Sequence, residues 1–378
     1  MPLRPPLGSI SVEQFLRRYW QRRPLLIRQA VAQPLPELER TRLFELAARD
    51  DVESRIVSRS GERFRLAHGP FDALPPPQRK RWTLLVQGVD LHLDSAHALL
   101  RRFRFVPDAR LDDLMVSWAS DGGGVGPHAD SYDVFLLQAS GRRRWRLAPP
   151  ARPPQWVPGL PLKILSRFEP VHDWVLEPGD MLYLPPGWGH DGTALNECMT
   201  ISIGFRAPSR LEFLRWMLAA AADSPGGADP RFADPGRKPT RAPASIPGDL
   251  AIQLRQWAQG WRAPRAWIER SIGTFLTEPK PNVWFERPPP LRPHAFARLA
   301  SQRGLELDRR SRIAYRGRWV HANGEALEST PAQRRWLRRL ADWRILTAVQ
   351  CADAFASPGL ADILHDWYAA GWLRWPQR

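Results

Sequence analysis

Short apolar runs separated by glycine and proline fill the middle of the chain, from Leu111 to Phe205. Each run has the length of a single strand, and turn residues recur between the runs at even spacing. Many short strands in this arrangement are typical of a β-sandwich or a β-barrel. The predicted strands are LMVSWA, DVFLLQA, RRWRLAP, WVLE, MLYLP and TISIGF.

The N-terminal part mixes helical and extended patterns. In SVEQFLRRYWQRRPLLIR, Ser11 and Gln14 form a capping-box pattern, which predicts a helix that ends before Pro24. RIVSRS and RFRLAHG predict the two strands of a hairpin that turns at Ser60-Gly61. WTLLVQGVDL predicts a buried strand or loop, and a helix is expected near residues 95–103.

After Pro208 the strand pattern stops and helical patterns take over. Ser209 is a suitable N-cap for the helix SRLEFLRWMLAAAA. Residues 223–248 are rich in proline, glycine, aspartate and alanine, and we expect a loop or linker there. Further helical segments are expected near residues 250–260 and 264–276.

The last part of the chain predicts strands packed with short helices. RIAYRGRWVHANGEALE predicts a hairpin with turns at Arg316-Gly317 and Asn323-Gly324. Thr330 as N-cap and Pro331 at the first helical position predict that TPAQRRWLRRLADW is a helix. LADILHDWYAAG predicts another helix, and WLRWP a returning strand. These elements indicate a small winged-helix-like domain.

We therefore expect a mainly β N-terminal domain at 1–207, a helical region with a Pro/Gly-rich linker at 208–300 and a winged-helix-like domain at 301–378. The 378 residues are ample for a large core. The N-terminus lacks the apolar core of a secretory signal, and no apolar run approaches the roughly 20 residues needed to span a membrane. Two cysteines are too few for a disulfide framework, so we expect a soluble protein of a reducing cytoplasm.

The formal charge of +16 favours a polyanionic partner such as RNA or the ribosome. An alternative explanation is GC-rich coding, because only four of the 55 basic residues are lysine and the chain holds 39 prolines. Residues 279–378 carry 17 basic and 9 acidic residues, so half of the excess charge lies in the last hundred residues.

Two His-x-Asp pairs are candidates for metal binding: His128 with Asp130, and His92 with Asp94. In an extended strand, residues i and i+2 project from the same face. Asp94 directly precedes the helical pattern SAHALLRRF, where it fits the N-cap position, so His92 and Asp94 are better explained by structure.

A distant histidine completes the first pair. In EPGDMLYLPPGWGH an apolar strand leads to a rigid Pro-Pro-Gly corner that presents His190. A His-x-Asp pair with one distant histidine is the facial ligand set of non-haem Fe(II) enzymes, which leaves open positions at the metal. We therefore expect a metal at His128, Asp130 and His190, in the mouth of the barrel.

Arg143 is the third candidate. If SGRRRWRLAPP is a strand, Arg143 shares the apolar face with Trp145 and Leu147, while Arg142, Arg144 and Arg146 share the solvated face. A lone cation on an apolar face is costly unless it is paired. The partner is either an acidic side chain or the carboxylate of a ligand. Two metal ligands and an anion clamp on one barrel match the requirements of a 2-oxoglutarate oxygenase.

The glycine run at 122–124 and Gly126 is not followed by Gly-Lys-Ser/Thr, which argues against a nucleotide-phosphate loop. A tightly turned or flexible entrance segment is the better interpretation.

The stretches LDDLMVSWASDGGGVGPHADSYDVFLLQASGRRRWRLAPP and EPGDMLYLPPGWGHDG resemble the bacterial ribosomal oxygenases of the JmjC type, within the cupin superfamily. The likeness extends from YWQRRPLLIR and WTLLVQGVDL to HANGE near the C-terminus. It implies a double-stranded β-helix, an α-helical dimerisation region and a winged-helix domain with a structural or substrate-docking role. Sequence-specific DNA binding is not expected.

The resemblance also implies a function. It implies Fe(II) on His128, Asp130 and His190, with 2-oxoglutarate and O2 as co-substrates. Arg143 would bind the distal carboxylate of 2-oxoglutarate, and Ser117 would help to hold it. The expected reaction is 3-hydroxylation of an arginine in a large-subunit ribosomal protein, with histidine hydroxylation of another ribosomal protein as the alternative. Asp121, Tyr132 and Asp133 are candidates for binding the cationic substrate.

Two rival functions stay open at this point. One is a cupin enzyme that uses another metal, although many such cupins have more histidine ligands. The other is a non-catalytic module that binds ribosomal RNA or protein through its basic surface.

Overall fold

The computed structural model describes residues 4–376 except 36, 62, 77, 152, 224–232, 234–246 and 261–262. Three helices belong to the N-terminal part: α1 (Val12–Arg18), α2 (Arg40–Ala47) and α3 (Asp94–Arg101). Its strands are β1 (Leu25–Ile27), β2 (Ser54–Ser60), β3 (Arg63–His68), β4 (Trp82–Val86), β5 (Leu111–Ala119), β6 (His128–Ala129), β7 (Val134–Ser140), β8 (Arg143–Ala148), β9 (His172–Leu176), β10 (Met181–Leu184), β11 (Gly189–Ala194) and β12 (Cys198–Phe205).

These strands form two antiparallel sheets. The larger has the order β1-β10-β7-β12-β5-β4-β2-β3, and the smaller has the order β6-β11-β8-β9. The chain crosses repeatedly between them, and both contribute walls to one cavity. This confirms the predicted double-stranded β-helix. The six strands expected between Leu111 and Phe205 are all present.

The two faces of the large sheet have different surroundings: one contacts helices and the other contacts a cavity. One face packs against the N-terminal helices in an aromatic core, in which Phe15 of α1 is fully buried and the rings of Trp82 and Trp118 are 4.6 Å apart. The predicted capping box at Ser11 and Gln14 is present. The other face lines the cavity. Because successive side chains of a strand alternate between faces, position along each strand decides which residues reach the cavity.

A helical region follows, with α4 (Arg210–Ala222), α5 (Gly248–Gly260) and α6 (Arg265–Thr277). Ser209 caps α4 as predicted, with a capping box to Glu212. Most of the predicted linker at 223–248 lies outside the described residues. Among helices of the described ranges, none combines the length and apolar character that crossing a lipid bilayer requires.

The C-terminal part has its own core, built on two three-stranded sheets. Thr330 and Pro331 begin the predicted helix with a capping box. The predicted boundary at residue 301 falls inside a helix whose Phe296 and Ala300 are fully buried in this core, so the helix belongs to the C-terminal domain. The elements are α7 (Pro293–Arg303), β13 (Leu305–Leu307), β14 (Ile313–Arg316), β15 (Trp319–Ala322), β16 (Glu325–Glu328), α8 (Pro331–Trp343), β17 (Ile345–Leu346), α9 (Ala348–Phe355), α10 (Leu360–Ala369) and β18 (Leu373–Arg374).

Candidate metal centre and its cavity

A cavity of about 240 Å³ lies between the two sheets of the N-terminal domain. Its walls come from alternate residues of several strands, as the strand periodicity requires. The side chains that line it on the strands are Arg55 and Val57 (β2), Thr83 and Leu85 (β4), Asp112, Asp113, Met115 and Ser117 (β5), His128 (β6), Val134 and Leu136 (β7), Arg143 and Trp145 (β8), His190 (β11), and Thr200 and Ser202 (β12).

His128, Asp130 and His190 come together at this cavity. One ligand atom from each lies within 4.8 Å of the others, a set that fits a single metal ion. His128 and His190 are register partners on β6 and β11, and their ring centroids are 4.1 Å apart. His190 Nε2 lies 3.6 Å from Asp130 Oδ2. Two imidazoles and one carboxylate on neighbouring elements are the donor set of the facial Fe(II) site.

Backbone carbonyls orient both histidines. The Nδ1 of His128 lies 2.9 Å from the Gly126 carbonyl oxygen, and the Nδ1 of His190 lies 3.0 Å from that of Trp188. A ring that donates from Nδ1 leaves Nε2 unprotonated for a metal. Burial, aided by the neighbouring His128, lowers the pKa of His190 to about 4. His190 is therefore a neutral ligand near neutral pH, and protons do not compete with a metal there.

The local backbone differs from the prediction in two details. Strand β6 covers only His128 and Ala129, so Asp130 lies just beyond its end and not within an extended strand. His190 is the second residue of β11, and the Pro-Pro-Gly corner precedes that strand. The Gly187 N–H donates to the Asp130 carbonyl at 2.7 Å, which ties the corner to the ligand segment.

Arg143 is buried among apolar residues, as the strand alternation predicted: it is 4% exposed. Its Nη1 donates to Ser117 Oγ at 3.0 Å and to Thr200 Oγ1 at 3.1 Å, and its guanidinium lies 5.5 Å from the centroid of a Trp145 ring. Burial lowers the pKa of Arg143, yet a guanidinium stays charged in proteins.

No carboxylate of the described residues forms an ion pair with Arg143, and its Nε has no hydrogen-bond partner there. A buried cation that the surrounding chain leaves unpaired fits the carboxylate of a ligand. Of the two partners left open by the sequence, the described residues favour the ligand. Ser117 lies beside Arg143 as expected, and Thr200 joins it on the neighbouring strand, linked in turn to Gln138 at 3.0 Å.

The glycine run before His128 begins with a turn at Asp121 and Gly122 and is then closely packed. Gly126 has a φ of +84°, a conformation that favours glycine, and a Cβ there would come within 2.8 Å of the Phe64 ring. At Gly124 a Cβ would lie 2.4 Å from the Gly192 carbonyl oxygen. Close packing explains why no side chain fits at these two positions.

The three residues predicted to bind the substrate lie in different environments in the structure. Tyr132 lines the cavity and is 39% exposed. Asp133 does not reach it: the side chain is fully buried on the opposite face, where it accepts hydrogen bonds from Tyr183 at 2.6 Å and Gln21 at 3.0 Å. Asp121 lies in the turn after β5 and forms an exposed ion pair with Lys80 at 2.7 Å. Of the three candidates, the structure therefore brings Tyr132 to the cavity wall but neither of the two aspartates.

Other acidic residues, which were not predicted, line the cavity instead. Asp112 and Asp113 stand at the start of β5, and Asp113 is 6% exposed. Gln87 donates to Asp113 Oδ2 at 3.3 Å. A signal for Asp113 exists in the sequence, because it lies four residues before Ser117 on one strand and therefore on the same face.

His92 and Asp94 belong to no cluster of three or more potential metal ligands among the described residues, and the predicted cap at Asp94 is wrong. Asp94 is the first residue of α3 and makes no capping hydrogen bond. It binds Arg309 at 3.0 Å and Arg374 at 3.2 Å, both from the C-terminal domain. This carboxylate therefore serves the contact between domains.

Comparison with known proteins finds relatives that match almost the whole chain. Residues 98–213 match the JmjC domain family and residues 258–374 match the ROXA-like winged helix. The chain is 35% identical over 359 residues to the ribosomal protein uL16 3-hydroxylase of Escherichia coli (strain K12), covering 94% of this chain and 95% of that protein. A probable ribosomal oxygenase of Haemophilus influenzae is 36% identical over 208 residues, covering 53% of this chain and 50% of the relative.

Solved structures superpose on almost the full length of this chain. The X-ray structure of E. coli YcfD superposes with a TM-score of 0.83 at 32% identity, covering 98% of this chain and 99% of the other. The structure of YcfD in complex with cobalt and 2-oxoglutarate superposes with a TM-score of 0.79 at 32% identity and the same coverage. The chain belongs to the family of ribosomal oxygenases that join a JmjC domain to a ROXA-like winged helix.

Proposed function

We propose that the protein is an Fe(II)- and 2-oxoglutarate-dependent oxygenase that 3-hydroxylates an arginine of the large-subunit ribosomal protein uL16. One observation carries this proposal: a His-Asp-His ligand set and a buried arginine without a carboxylate partner, both among the described residues, line the same cavity. The E. coli relative, named a uL16 3-hydroxylase, supports the choice of substrate.

Each part of the cavity has a role in this reaction. His128, Asp130 and His190 would hold Fe(II) on one side and leave positions open for ligands. Arg143, fixed by Ser117 and Thr200, would bind a carboxylate of 2-oxoglutarate and set its orientation. When bound, iron and 2-oxoglutarate supply the oxidising power for inserting oxygen from O2 into a C–H bond.

The remaining walls suit an arginine side chain. Met115, Val134 and Leu136 are apolar and would exclude water around the aliphatic part. Asp113 offers a carboxylate to the guanidinium, and Tyr132 offers an aromatic face. Hydroxylation at carbon 3 requires the Cβ of the substrate to face the metal while the guanidinium is held farther along the cavity.

A direct test combines binding with turnover. Anaerobic addition of Fe(II) and 2-oxoglutarate should produce the visible charge-transfer band of this enzyme class, and a uL16 peptide with O2 should then yield succinate and a peptide heavier by one oxygen. His128→Ala should lose both signals. His92→Ala, which alters the other His-x-Asp pair, is the matched control and should keep them.

The alternatives give different results. Oxidation of a histidine peptide with no reaction on the arginine peptide would identify a histidine hydroxylase. Absence of the band and of succinate with every peptide would favour the non-catalytic binding module. A band that persists in His128→Ala would show that the ligand assignment is wrong.

We also propose that the protein forms a homodimer through its helical region. On α4, Leu211, Leu214 and Leu218 recur at helical spacing and are 55%, 41% and 55% exposed. Ile252 on α5 adds a further side chain that is 53% exposed. Exposed apolar stripes of this kind mark protein interfaces, and a second copy would cover them.

The oligomeric state tests this second proposal. Light scattering after size-exclusion chromatography should give twice the chain mass for the wild type. Leu211→Glu combined with Leu214→Glu and Leu218→Glu should give the monomer mass, whereas Arg215→Glu on the same helix should not. A monomeric wild type would refute the proposal.

The site of action follows from the proposed substrate. Ribosomal proteins of bacteria are made in the cytoplasm, so we propose that the protein acts there. Recovery of the protein outside the cytoplasmic fraction of its host would contradict this.

A further inference from the structure

Lys280 reaches the cavity acids from the segment that follows α6. Its Nζ lies 3.2 Å from Asp112 Oδ1 and 3.3 Å from Asp113 Oδ2. The two partners are far apart in sequence, because Lys280 follows Asp113 by 167 residues. The roles proposed above do not use this lysine.

The acids beside Lys280 repel one another. Asp90 and Asp113 are both buried, with exposures of 3% and 6%, and Asp112 adjoins them. Burial, together with the neighbouring Asp113, raises the pKa of Asp90 to about 7. Burial also raises the pKa of Asp113, and Asp112 adds to the effect while Lys280 opposes it. Burial and Asp112 therefore disfavour the charged form of Asp113, and Lys280 favours it.

Lys280 is well placed to counter this tendency. Burial disfavours its charge, but the two adjacent carboxylates outweigh burial and raise the pKa of Lys280, so it is protonated at neutral pH. Arg312 lies against Asp112, with its Nη2 at 2.9 Å from the carbonyl oxygen and 3.3 Å from Oδ1. Within the described ranges, Lys280 is the cation that pairs with Asp113.

We infer that Lys280 is a positioning residue that keeps the Asp113 carboxylate charged, so that the cavity can bind the guanidinium of the substrate. The inference rests on the proposed function. A neutral carboxyl group would lose the charge-assisted hydrogen bonds that make a carboxylate a good partner for arginine. The C-terminal part of the chain thereby contributes to substrate binding in the JmjC domain.

Several other charged and titratable groups surround Asp113, and a test of Lys280 must leave them unchanged. Apart from Lys280, those that face it or its neighbours are Asp90, Asp112, Tyr132, Arg55, Arg206 and Arg312. Removal of Lys280 leaves all of these in place. The pKa of Asp113 should then rise, and substrate binding should weaken at pH values below the new pKa.

The test is a titration of Lys280→Met with an arginine-containing uL16 peptide under anaerobic conditions, with Fe(II) and 2-oxoglutarate bound, from pH 6.5 to pH 9. The substrate guanidinium stays charged throughout this range. We expect Kd to rise about tenfold at pH 6.5, the effect of about one pKa unit, and to return towards the wild-type value at pH 9. Lys280→Arg should bind like the wild type.

Lys80→Met is the matched control, because Lys80 pairs with Asp121 on the surface outside the cavity. It should leave the pH profile unchanged. A loss of affinity in Lys280→Met that is equal at every pH, or a profile identical to that of Lys80→Met, would overturn the inference. If Lys280→Met fails to fold, Lys280→Gln, which also removes the charge but keeps a hydrogen-bond donor, provides the same comparison.

If the proposed function is wrong, the binding and turnover experiments give a different result. In that case the wild type itself neither binds the arginine peptide nor forms succinate with it. If the wild type does both and Asp113→Asn binds equally well at every pH, the role of Asp113 is wrong, and with it the role of Lys280.

Discussion

Arg143 shows what one residue can reveal about a ligand. Its guanidinium is buried, charged and held by two hydroxyls, and no described carboxylate neutralises it. Such a group costs folding free energy in the ligand-free protein, because a buried ion is stable only when its partners compensate for lost hydration. The cost is tolerable when a bound carboxylate completes the site.

Replacement of Arg143 by methionine should therefore separate binding from stability. Loss of charge-assisted hydrogen bonds of about 1.5–3 kcal/mol should raise KM for 2-oxoglutarate roughly 10- to 100-fold. The melting temperature of the ligand-free protein should stay equal or rise, since a buried unpaired charge is removed. Arg143→Lys should recover little activity, because an ammonium cannot form the planar fork of a guanidinium.

Succinate formation at varied 2-oxoglutarate and thermal unfolding check these two effects. An unchanged KM would show that Arg143 does not contact the co-substrate. A lower melting temperature together with an unchanged KM would mean that the residue is structural.

Residue periodicity explains which site residues the sequence could predict. His128, His190 and Arg143 follow from local pattern, because turn residues and strand alternation place them independently of distant parts of the chain. Asp133 was assigned by its nearness to Asp130 alone, yet it alternates with Tyr132 and faces the other side of the sheet. Asp113 was overlooked, although it shares a face with Ser117. Lys280 could not be found, since its contact depends on how the C-terminal region packs.

At the scale of elements, the contact of α8 with the end of α3 and the residues just after it joins the two main parts of the chain. Arg104 Nη2 donates to the Ala341 carbonyl at 3.1 Å, and Arg101 Nη2 donates to that of Trp343 at 3.3 Å. These carbonyls lie at the C-terminal end of α8, where free acceptors and the helix dipole favour cations. No pattern within α8 alone indicates that a distant part of the chain supplies donors to its C-terminal carbonyls.

Arg101→Met combined with Arg104→Met should loosen this contact. We expect a loss of roughly 2–4 kcal/mol in the free energy of unfolding, the sum of several hydrogen bonds from charged donors. The two parts have separate cores, so calorimetry should resolve two transitions where the wild type shows one.

Arg335→Met combined with Arg339→Met removes the same charge from the exposed side of α8 and serves as the control. It should leave the transition nearly unchanged. Equal effects of the two double variants would mean that net charge, and not the contact between α3 and α8, sets stability.

At the scale of the whole molecule, buried titratable groups couple stability to pH. Burial lowers the pKa of His92, His190 and His321 to about 4 and that of His97 to about 2. These groups are neutral in the folded protein between about pH 4 and 6.5, but they take up protons when the chain unfolds. Asp90 and Asp113 act in the opposite direction, because burial raises their pKa values, that of Asp90 to about 7.

Four histidines outweigh two aspartates, so the unfolded chain binds more protons than the folded one over this interval. The free energy of unfolding of the metal-free protein should therefore fall as the pH is lowered from 6.5 to 4. Thermal unfolding at a series of pH values measures the slope. His321→Gln should reduce the slope, since it removes one of the four groups. A melting temperature that is constant or that rises on acidification would show that the buried carboxyls dominate the proton balance.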